Sequence, residues 1–209
     1  MGKIILGSSS PRRADILTKL NLDFEIFPSS YAEPHDKTDF SYEFVENLAY
    51  NKGVNVISNH PALSAGNALC KDGINTTDAI NEKILVVSAD TIVVINNRIL
   101  GKPKDRSEAF YMLKMLSGRT HFVVTSIAVI NPANMKYRIK STTTYVTFEN
   151  LTDGQINYYI TNFKPFDKAG AYGIQELPAG CIKNVEGELD NVIGMPSKTL
   201  LELLQQDYK

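Results

Sequence analysis

Residues 8–13 combine side chains that bind phosphate groups. In order, these residues are Ser8, Ser9, Ser10, Pro11, Arg12 and Arg13. The Ser10-Pro11 pair is typical of a helix start, because serine caps free N–H groups and proline fits the first helical position. A helix N-terminus and forked guanidinium groups both favour phosphate oxygens. The segment therefore predicts a polyphosphate site, and the alternative is a plain capped helix with solvated arginines.

Two acidic side chains could hold a divalent cation beside that phosphate site. Asp90 follows the apolar run 84–87, and we expect it at the end of a buried strand, where ligands bind in α/β sheets. A carboxylate there should face a cleft rather than the core, and Glu33 in a separate loop could share a cation with it. The alternatives are a turn or cap aspartate for Asp90 and a solvated loop residue for Glu33.

Three lysines lie near predicted loops where they could neutralise phosphate. They are Lys52, Lys102 and Lys168, and a solvated surface position is the alternative for each. Gln175 ends a run of small residues that begins at Ala169, where the base of a ligand could approach the backbone. The amide of Gln175 can donate and accept hydrogen bonds in one plane, which suits the edge of a base.

Strands and helices alternate along the chain and must position these residues. The predicted strands are 3–6, 24–27, 84–87, 92–95, 98–100, 121–130 and 138–148. Five helices are predicted. They start after Ser10-Pro11, near Tyr42, at an Asp105/Glu108 capping box, at a Thr152/Gln155 capping box and after Pro196. Asn96-Asn97 predicts a hairpin turn, so the fold class is α/β with a mixed central sheet. His121, alone in a strand, is expected to be packed rather than catalytic.

The composition is that of one ordinary globular domain over residues 1–209. Hydrophobic residues are 43%, charged residues 22% and the net charge is -1, without the basic surface of a duplex nucleic-acid binder. No signal sequence or 18-residue apolar stretch is present, so a cytoplasmic protein without membrane contact is expected. Cys70 and Cys181 lack metal-ligand spacing. Residues 59–82 are small and polar and predict a mobile surface insertion.

Taken in order, these segments resemble the Maf family over nearly the whole chain. The matching segments are Ser8 to Arg13, Glu33, Lys52, Ala89-Asp90-Thr91, Gly101-Lys102-Pro103, Leu116-Ser117-Gly118, His121, Asp167 to Gln175 and Asn191 to Pro196. Each motif is weak by itself, and their common order makes the resemblance specific. The resemblance implies a two-lobed α/β fold, related to the inosine-triphosphate pyrophosphatases, around a deep cleft for a nucleoside triphosphate and a divalent cation, Mg²⁺ or Mn²⁺.

The resemblance also implies the reaction, which is hydrolysis between the α and β phosphates. Asp90 resembles the family's proton acceptor and, with Glu33, would contact the metal. Three positions resemble those that set base preference, namely Arg12, Thr91 and Gln175. The remaining residues that would bind phosphate or stabilise the transition state are Ser8, Arg13, Lys52, Lys102 and Lys168, of which Lys52 and Lys102 would be catalytic.

Within the family, the two specificity motifs resemble the branch that acts on dTTP and UTP. The first motif lacks the aromatic residue of the branch that prefers 7-methyl-GTP, and Gln175 could pair with the O4 and N3–H edge of thymine or uracil. Two departures are a longer link within residues 53–83, which contains the insertion, and Glu176 where the family commonly has glycine. The alternatives are a nucleotide-binding regulator of cell division with little turnover, or a pyrophosphatase for 7-methyl-GTP or inosine triphosphate. The sequence leaves open whether the chain forms a homodimer.

Overall fold

A computed structural model describes residues 2–34, 39–64 and 84–206 of the chain. The strands are β1 (Ile4–Leu6), β2 (Phe24–Ile26), β3 (Leu85–Ile95), β4 (Arg98–Leu100), β5 (Thr120–Ile130), β6 (Tyr137–Phe148) and β7 (Ile182–Glu186). The helices are α1 (Pro11–Lys19), α2 (Tyr42–Asn59), α3 (Arg106–Leu116), α4 (Asp153–Phe163), α5 (Leu189–Ile193) and α6 (Ser197–Gln206), with a 3₁₀ turn at Ala169–Ala171.

The strands form one mixed sheet, which confirms the predicted α/β class. Its order is β2-β1-β3-β5-β6-β7, with β4 paired to β3. β2, β1 and β3 run parallel, whereas the pairings of β3 with β4 and β5, of β5 with β6, and of β6 with β7 are antiparallel. The parallel half follows from the α1 crossover between β1 and β2, and the antiparallel half follows from the hairpins.

Strand β3 differs from its prediction and explains where the cleft lies. The sequence predicted a strand that ends at Asp90 and a separate strand over 92–95, but β3 runs without a break from Leu85 to Ile95. β1 pairs with β3 only as far as Val87, and β4 begins to pair at Val93. Between these points one edge of β3 has no partner strand among the described residues, while β5 pairs along the other edge. Asp90 therefore lies just beyond the end of the β1 pairing. The β-branched residues that follow it explain why β3 continues to Ile95.

Alternate residues of β3 face opposite sides of the sheet and divide the core. On one side, Leu85 and Val87 belong to a cluster with α1 and α6, and Val93 belongs to a second cluster with α3 and α4. These clusters form the two lobes that were expected, and Thr91 lies between them on the same side of β3. On the other side, α2 packs against the sheet and Asp90 faces it. Polar side chains thus occupy the middle of β3, where the apolar clusters separate.

The predicted turn and caps are confirmed in part. Asn96 and Asn97 have φ of 50° and 61°, as the hairpin requires, and Thr152 and Gln155 form the complete capping box. Only one of the two hydrogen bonds predicted for the Asp105/Glu108 capping box is present. Asp105 accepts from the Glu108 N–H, but the Glu108 carboxylate accepts at 2.7 Å from the N–H of Lys104, one residue before the cap. The sequence did not predict β7 or α5, since neither short segment has a sustained apolar period.

The predicted insertion begins with ordered, packed residues. α2 continues to Asn59, a helical turn follows at 61–64, and His60 and Leu63 are buried. Residues 65–83, where most of the predicted insertion and Cys70 fall, lie outside the described residues. Cys181 is buried with a free thiol. Within the described ranges, none of the helices has the length and apolar character needed to cross a membrane.

Candidate active site

A cavity of 1410 Å³ opens along the gap beside β3. It is lined by the β1–α1 loop, the middle of β3, the loop after β4 and residues 167–176. Every predicted site residue lines this cavity, namely Ser8, Arg12, Arg13, Glu33, Lys52, Asp90, Thr91, Lys102, Lys168 and Gln175. Residues that lie far apart in sequence are therefore brought to one cleft, as the phosphate-site prediction requires.

Lys52 of α2 lies between the two carboxylates that were predicted to share a cation. Its Nζ contacts Oδ1 of Asp90 and lies 2.7 Å from Oε1 of Glu33. Burial raises the pKa of Asp90 above its ordinary value, and the Lys52 ammonium opposes this. Burial acts in the same direction on Glu33, but the Lys52 ammonium and its hydrogen bond outweigh it and lower the pKa of Glu33. The two carboxyl groups thus differ, since the pKa of Asp90 is raised and that of Glu33 is lowered.

The donor set at this point fits a hard divalent cation. Asp90 and Glu33 converge on one ammonium group, so their oxygens already surround the position of a positive charge. The described part of the chain holds no group of three or more histidine, cysteine or acidic residues suited to a metal. Mg²⁺ commonly needs only one or two carboxylates, with waters and substrate phosphates completing its ligands. The residues therefore fit a cation that binds together with a polyphosphate.

Arg13 is held rigidly at the start of α1. Its Nε donates to the backbone oxygen of Gly194 at 2.8 Å, Nη1 donates to Oγ of Ser8 at 3.0 Å and Nη2 donates to Oγ1 of Thr91 at 3.1 Å. Burial lowers the pKa of Arg13 and the nearby Asp90 opposes this, but a guanidinium stays protonated in proteins. A fixed positive charge thus lies at the bottom of the cleft.

The start of α1 departs from the predicted cap. Pro11 occupies the first helical turn as expected, but the Ser10 side chain makes no cap hydrogen bond. Instead the Ser10 N–H donates to Oγ of Ser8 at 3.2 Å, which is the same hydroxyl that Arg13 contacts. The hydroxyl nearest the guanidinium therefore organises this loop, and α1 begins without a side-chain cap.

Four charged residues that line the cleft form a network. Nη1 of Arg12 lies 3.7 Å from Asp167 and 3.9 Å from Glu176. Nζ of Lys168 lies 2.8 Å from Asp167 and 3.2 Å from Glu176. Burial raises the pKa of Asp167, but its hydrogen bond to Lys168 and the Lys168 charge outweigh this, so the net shift is downward. Two of the predicted phosphate cations are therefore each shared by two carboxylates, one of which is the unusual Glu176.

The loop that carries Lys168 and Gln175 is fastened to the rest of the cleft through its backbone. The Gly170 N–H donates to the oxygen of Gly101, which joins this loop to the one that carries Lys102. Gly170 has a φ of 66°, and a Cβ there would lie 3.0 Å from the methyl groups of Val93, so only glycine fits. Lys102 and Gln175 are exposed at the cleft wall. Their backbone is thus positioned while their side chains face solvent.

Sequence reasoning missed the residues that support Arg13 from below. Thr125 is fully buried on β5, and its hydroxyl lies 3.0 Å from that of Thr91. Asn191 is also fully buried and binds Thr125. Thr125 could have been found as a hydroxyl residue within the apolar run 122–130, which is unusual in a central strand. Asn191 was noted within a motif but without a role.

Known proteins resemble this chain over its full length. The family described as Maf-like protein matches residues 3–207. A relative from Acetivibrio thermocellus is 41% identical over 205 residues, which cover 98% of this chain and 95% of the relative. A relative from Alkaliphilus oremlandii is 40% identical over 208 residues, which cover 100% and 97%. Both are named dTTP/UTP pyrophosphatase. With a family match across the chain and relatives of this identity, the protein belongs to the Maf family.

Proposed function

We propose that the protein hydrolyses nucleoside triphosphates between the α and β phosphates and releases a nucleoside monophosphate and pyrophosphate. The observation that carries this proposal is the buried Asp90, with its raised pKa, in a cleft that also holds the fixed Arg13 charge. A carboxylate of this kind suits the deprotonation of a water molecule, and the arginine suits a polyphosphate. The names of the relatives support the same reaction.

In this mechanism Asp90 orients and deprotonates the attacking water. The water oxygen forms a bond to the α phosphorus, its proton moves to the Asp90 carboxylate, and the bond from the α phosphorus to the bridging oxygen breaks. Pyrophosphate leaves with that bonding electron pair. Lys52, which contacts Asp90, holds the carboxylate in place and remains close to the charge that develops on the phosphoryl oxygens.

The remaining cations bind the triphosphate and stabilise the departing pyrophosphate. Arg13 is fixed at the cleft bottom, whereas Lys102 and Lys168 lie on two loops joined by a backbone hydrogen bond. Such preorganised charges usually provide a large share of the acceleration in phosphoryl transfer. A divalent cation, Mg²⁺ or Mn²⁺, would be held by Asp90 and Glu33 and would neutralise phosphate charge.

We propose dTTP and UTP as the preferred substrates. Gln175 is exposed on the cleft wall, and its amide can pair with the O4 and N3–H edge shared by thymine and uracil. The relatives named for these two nucleotides cover nearly the whole chain. The proposed enzyme is therefore a nucleoside triphosphate diphosphatase that acts on pyrimidine nucleotides.

Product analysis with a panel of nucleotides tests this proposal. The purified protein is incubated with dTTP, UTP, dCTP, dGTP, inosine triphosphate and 7-methyl-GTP with Mg²⁺ or Mn²⁺, and pyrophosphate and orthophosphate are measured separately. We expect pyrophosphate as the first product, fastest from dTTP and UTP. Orthophosphate as the first product would contradict the proposed bond, and nucleotide binding without product would favour a regulator.

The Asp90→Asn variant tests the proposed base directly. We expect pyrophosphate release to fall at least ~100-fold, because the amide cannot accept the proton of water, while nucleotide binding persists. The matched control is Asp15→Asn, which removes an exposed carboxylate from α1 outside the cavity lining. Undiminished turnover in Asp90→Asn would assign the base to another group.

A further inference from the structure

Thr125 and Asn191 form a buried polar connection beneath Arg13. The Thr125 N–H donates to Oδ1 of Asn191 at 3.0 Å, and the Thr125 hydroxyl donates to the backbone oxygen of Asn191 at 2.9 Å. The Asn191 Nδ2 group donates to the oxygen of Val123 at 2.9 Å and to the hydroxyl of Thr144 at 3.0 Å. Asn191 therefore fastens α5 to β5 and β6 with both its side chain and its backbone.

These contacts determine the direction of the next hydrogen bond. A threonine hydroxyl has one hydrogen, and that of Thr125 is used in the bond to the Asn191 carbonyl, which can only accept. In the 3.0 Å contact between the hydroxyls of Thr91 and Thr125, Thr91 must therefore be the donor. With its hydrogen used, Thr91 presents only lone pairs to its other neighbour, which is Nη2 of Arg13 at 3.1 Å.

Asn191 also supports the second acceptor that holds Arg13. α5 ends at Gly194, whose N–H donates to the backbone oxygens of Asp190 and Asn191 at 3.0 Å. The Gly194 oxygen accepts from Nε of Arg13. Gly194 has a φ of 111°, and a Cβ there would lie 3.2 Å from Oγ1 of Thr91, so the close approach needs glycine. Thr91 and Gly194 are thus both set by Asn191, directly or through Thr125.

The result is a guanidinium with a defined orientation and free donors. Among the residues that the structure describes, Ser8, Thr91 and Gly194 take one N–H group each, which leaves two of the five donors of Arg13 for a ligand. The remaining N–H groups, one on Nη1 and one on Nη2, suit the oxygens of a phosphate group.

We propose that Thr125 and Asn191 are positioning residues that orient Arg13 for phosphate through Thr91 and Gly194. In this arrangement the Thr91 hydroxyl accepts from Arg13 and does not donate to the base of the nucleotide. The inference rests on the proposed function, because it requires a polyphosphate at Arg13. Its consequence is that loss of the Thr91 or Thr125 hydroxyl weakens catalysis on every nucleotide by the same factor.

Kinetics of Thr125→Val and Thr125→Ser on dTTP, UTP, dCTP and dGTP test the proposal. In Thr125→Val we expect kcat/KM to fall about 10- to 100-fold for all four nucleotides, with their ratios within about twofold of the wild type, since the misplaced group is a phosphate ligand. Thr125→Ser keeps the hydroxyl and should restore most of the activity. The matched control is Ser126→Ala, which removes a fully buried hydroxyl from the neighbouring position of β5, where it bonds Ser141 instead.

The outcomes separate this inference from the proposed function. If Thr125→Val alters the ratios of kcat/KM between nucleotides, the Thr125 and Thr91 hydroxyls act in base selection instead. Wild-type kinetics in Thr125→Val would show that Thr125 does not position Arg13. If Thr125→Val does not fold, Thr91→Val provides the same comparison. If the wild type releases no pyrophosphate from any nucleotide, the proposed function fails. The positioning of Arg13 is then tested by the binding of tripolyphosphate, which has no base. Its affinity should still fall about tenfold in Thr91→Val, whereas unchanged affinity would overturn the inference.

Discussion

At the scale of the residue, His121 shows how a polar group can support a cleft without entering it. Its side chain is buried at 2% exposure, and Nε2 lies 2.7 Å from the hydroxyl of Tyr172, below the loop that carries Lys168 and Gln175. The ring also packs edge to face against Tyr172 with centroids 5.5 Å apart. The sequence predicted a packed histidine in this strand, and the structure shows one.

The burial of His121 predicts a pH dependence of stability. Burial lowers the pKa of His121 from 6.5 to about 4, so the unfolded chain binds a proton at a higher pH than the folded protein. The free energy of unfolding is unaffected by this group above pH 6.5 and falls as the pH is lowered from 6.5 towards 4, with a total loss of about 3 kcal/mol. Denaturant unfolding of the wild type and His121→Gln between pH 7 and 4 measures this. The wild type should lose more stability, and parallel curves would contradict the prediction.

At the scale of the element, the approach of α2 to the sheet places Lys52 beside Asp90. Gly53 lies in the middle of this 18-residue helix, where glycine is unfavourable by about 1 kcal/mol relative to alanine. A Cβ at Gly53 would lie 2.6 Å from Cδ1 of Ile130 and 2.7 Å from Oγ of Ser88. The glycine therefore allows the helix to pack closely enough for Lys52 to reach the carboxylates.

Gly53→Ala should harm the protein despite the better helix propensity of alanine. The added methyl group pushes α2 away from β3 and β5, which we expect to cost about 2 kcal/mol and to reduce kcat by moving Lys52. Thermal unfolding and pyrophosphate release measure the two effects. Ile130→Val, which removes the nearest methyl group, should restore part of both.

A matched glycine is available for the same substitution. Gly154 lies in the first turn of α4, and a Cβ there would have only the Thr152 hydroxyl as a neighbour, at 3.9 Å. Gly154→Ala should therefore be neutral or stabilising by up to about 1 kcal/mol. Equal effects of the two substitutions would show that helix propensity, rather than packing against the sheet, controls the position of α2.

At the scale of the whole molecule, charged contacts among residues that line the cleft join the two lobes. Arg12 belongs to α1 in the first lobe, whereas Asp167 and Glu176 flank the loop that packs on the second lobe. In the proposed function, Arg12 and Lys168 would exchange part of these contacts for phosphate oxygens when a triphosphate enters. Because Glu176 contacts both cations, we expect it to compete with the substrate for them.

Removal of the Glu176 charge should strengthen substrate binding. The side chain is about one-third exposed, so solvent screens its contacts and each is worth roughly 1 kcal/mol or less. We expect Glu176→Gln to lower KM for dTTP about two- to fivefold with little change in kcat, whereas Glu186→Gln on β7 should leave KM unchanged. Steady-state kinetics at low and moderate salt measure this. A higher KM in Glu176→Gln would instead make Glu176 a ligand of the substrate.

The sequence by itself determined the local structure and the types of side chain available for the site. Apolar periods and turn residues predicted most strands and helices, and ten candidate residues were named that all line one cavity. Such predictions succeed because backbone preferences and side-chain chemistry depend on near neighbours.

Only the tertiary structure decided how these residues are paired. The Lys52–Asp90 contact spans 38 positions and the Arg13–Gly194 contact spans 181, and no local pattern contains either distance. The end of β1 beside an unbroken β3 creates the gap in which Asp90 lies, and this depends on sheet register. The roles of Thr125, Asn191 and Glu176 likewise follow from packing between distant segments, because a hydrogen bond or ion pair exists only where the fold brings its partners together.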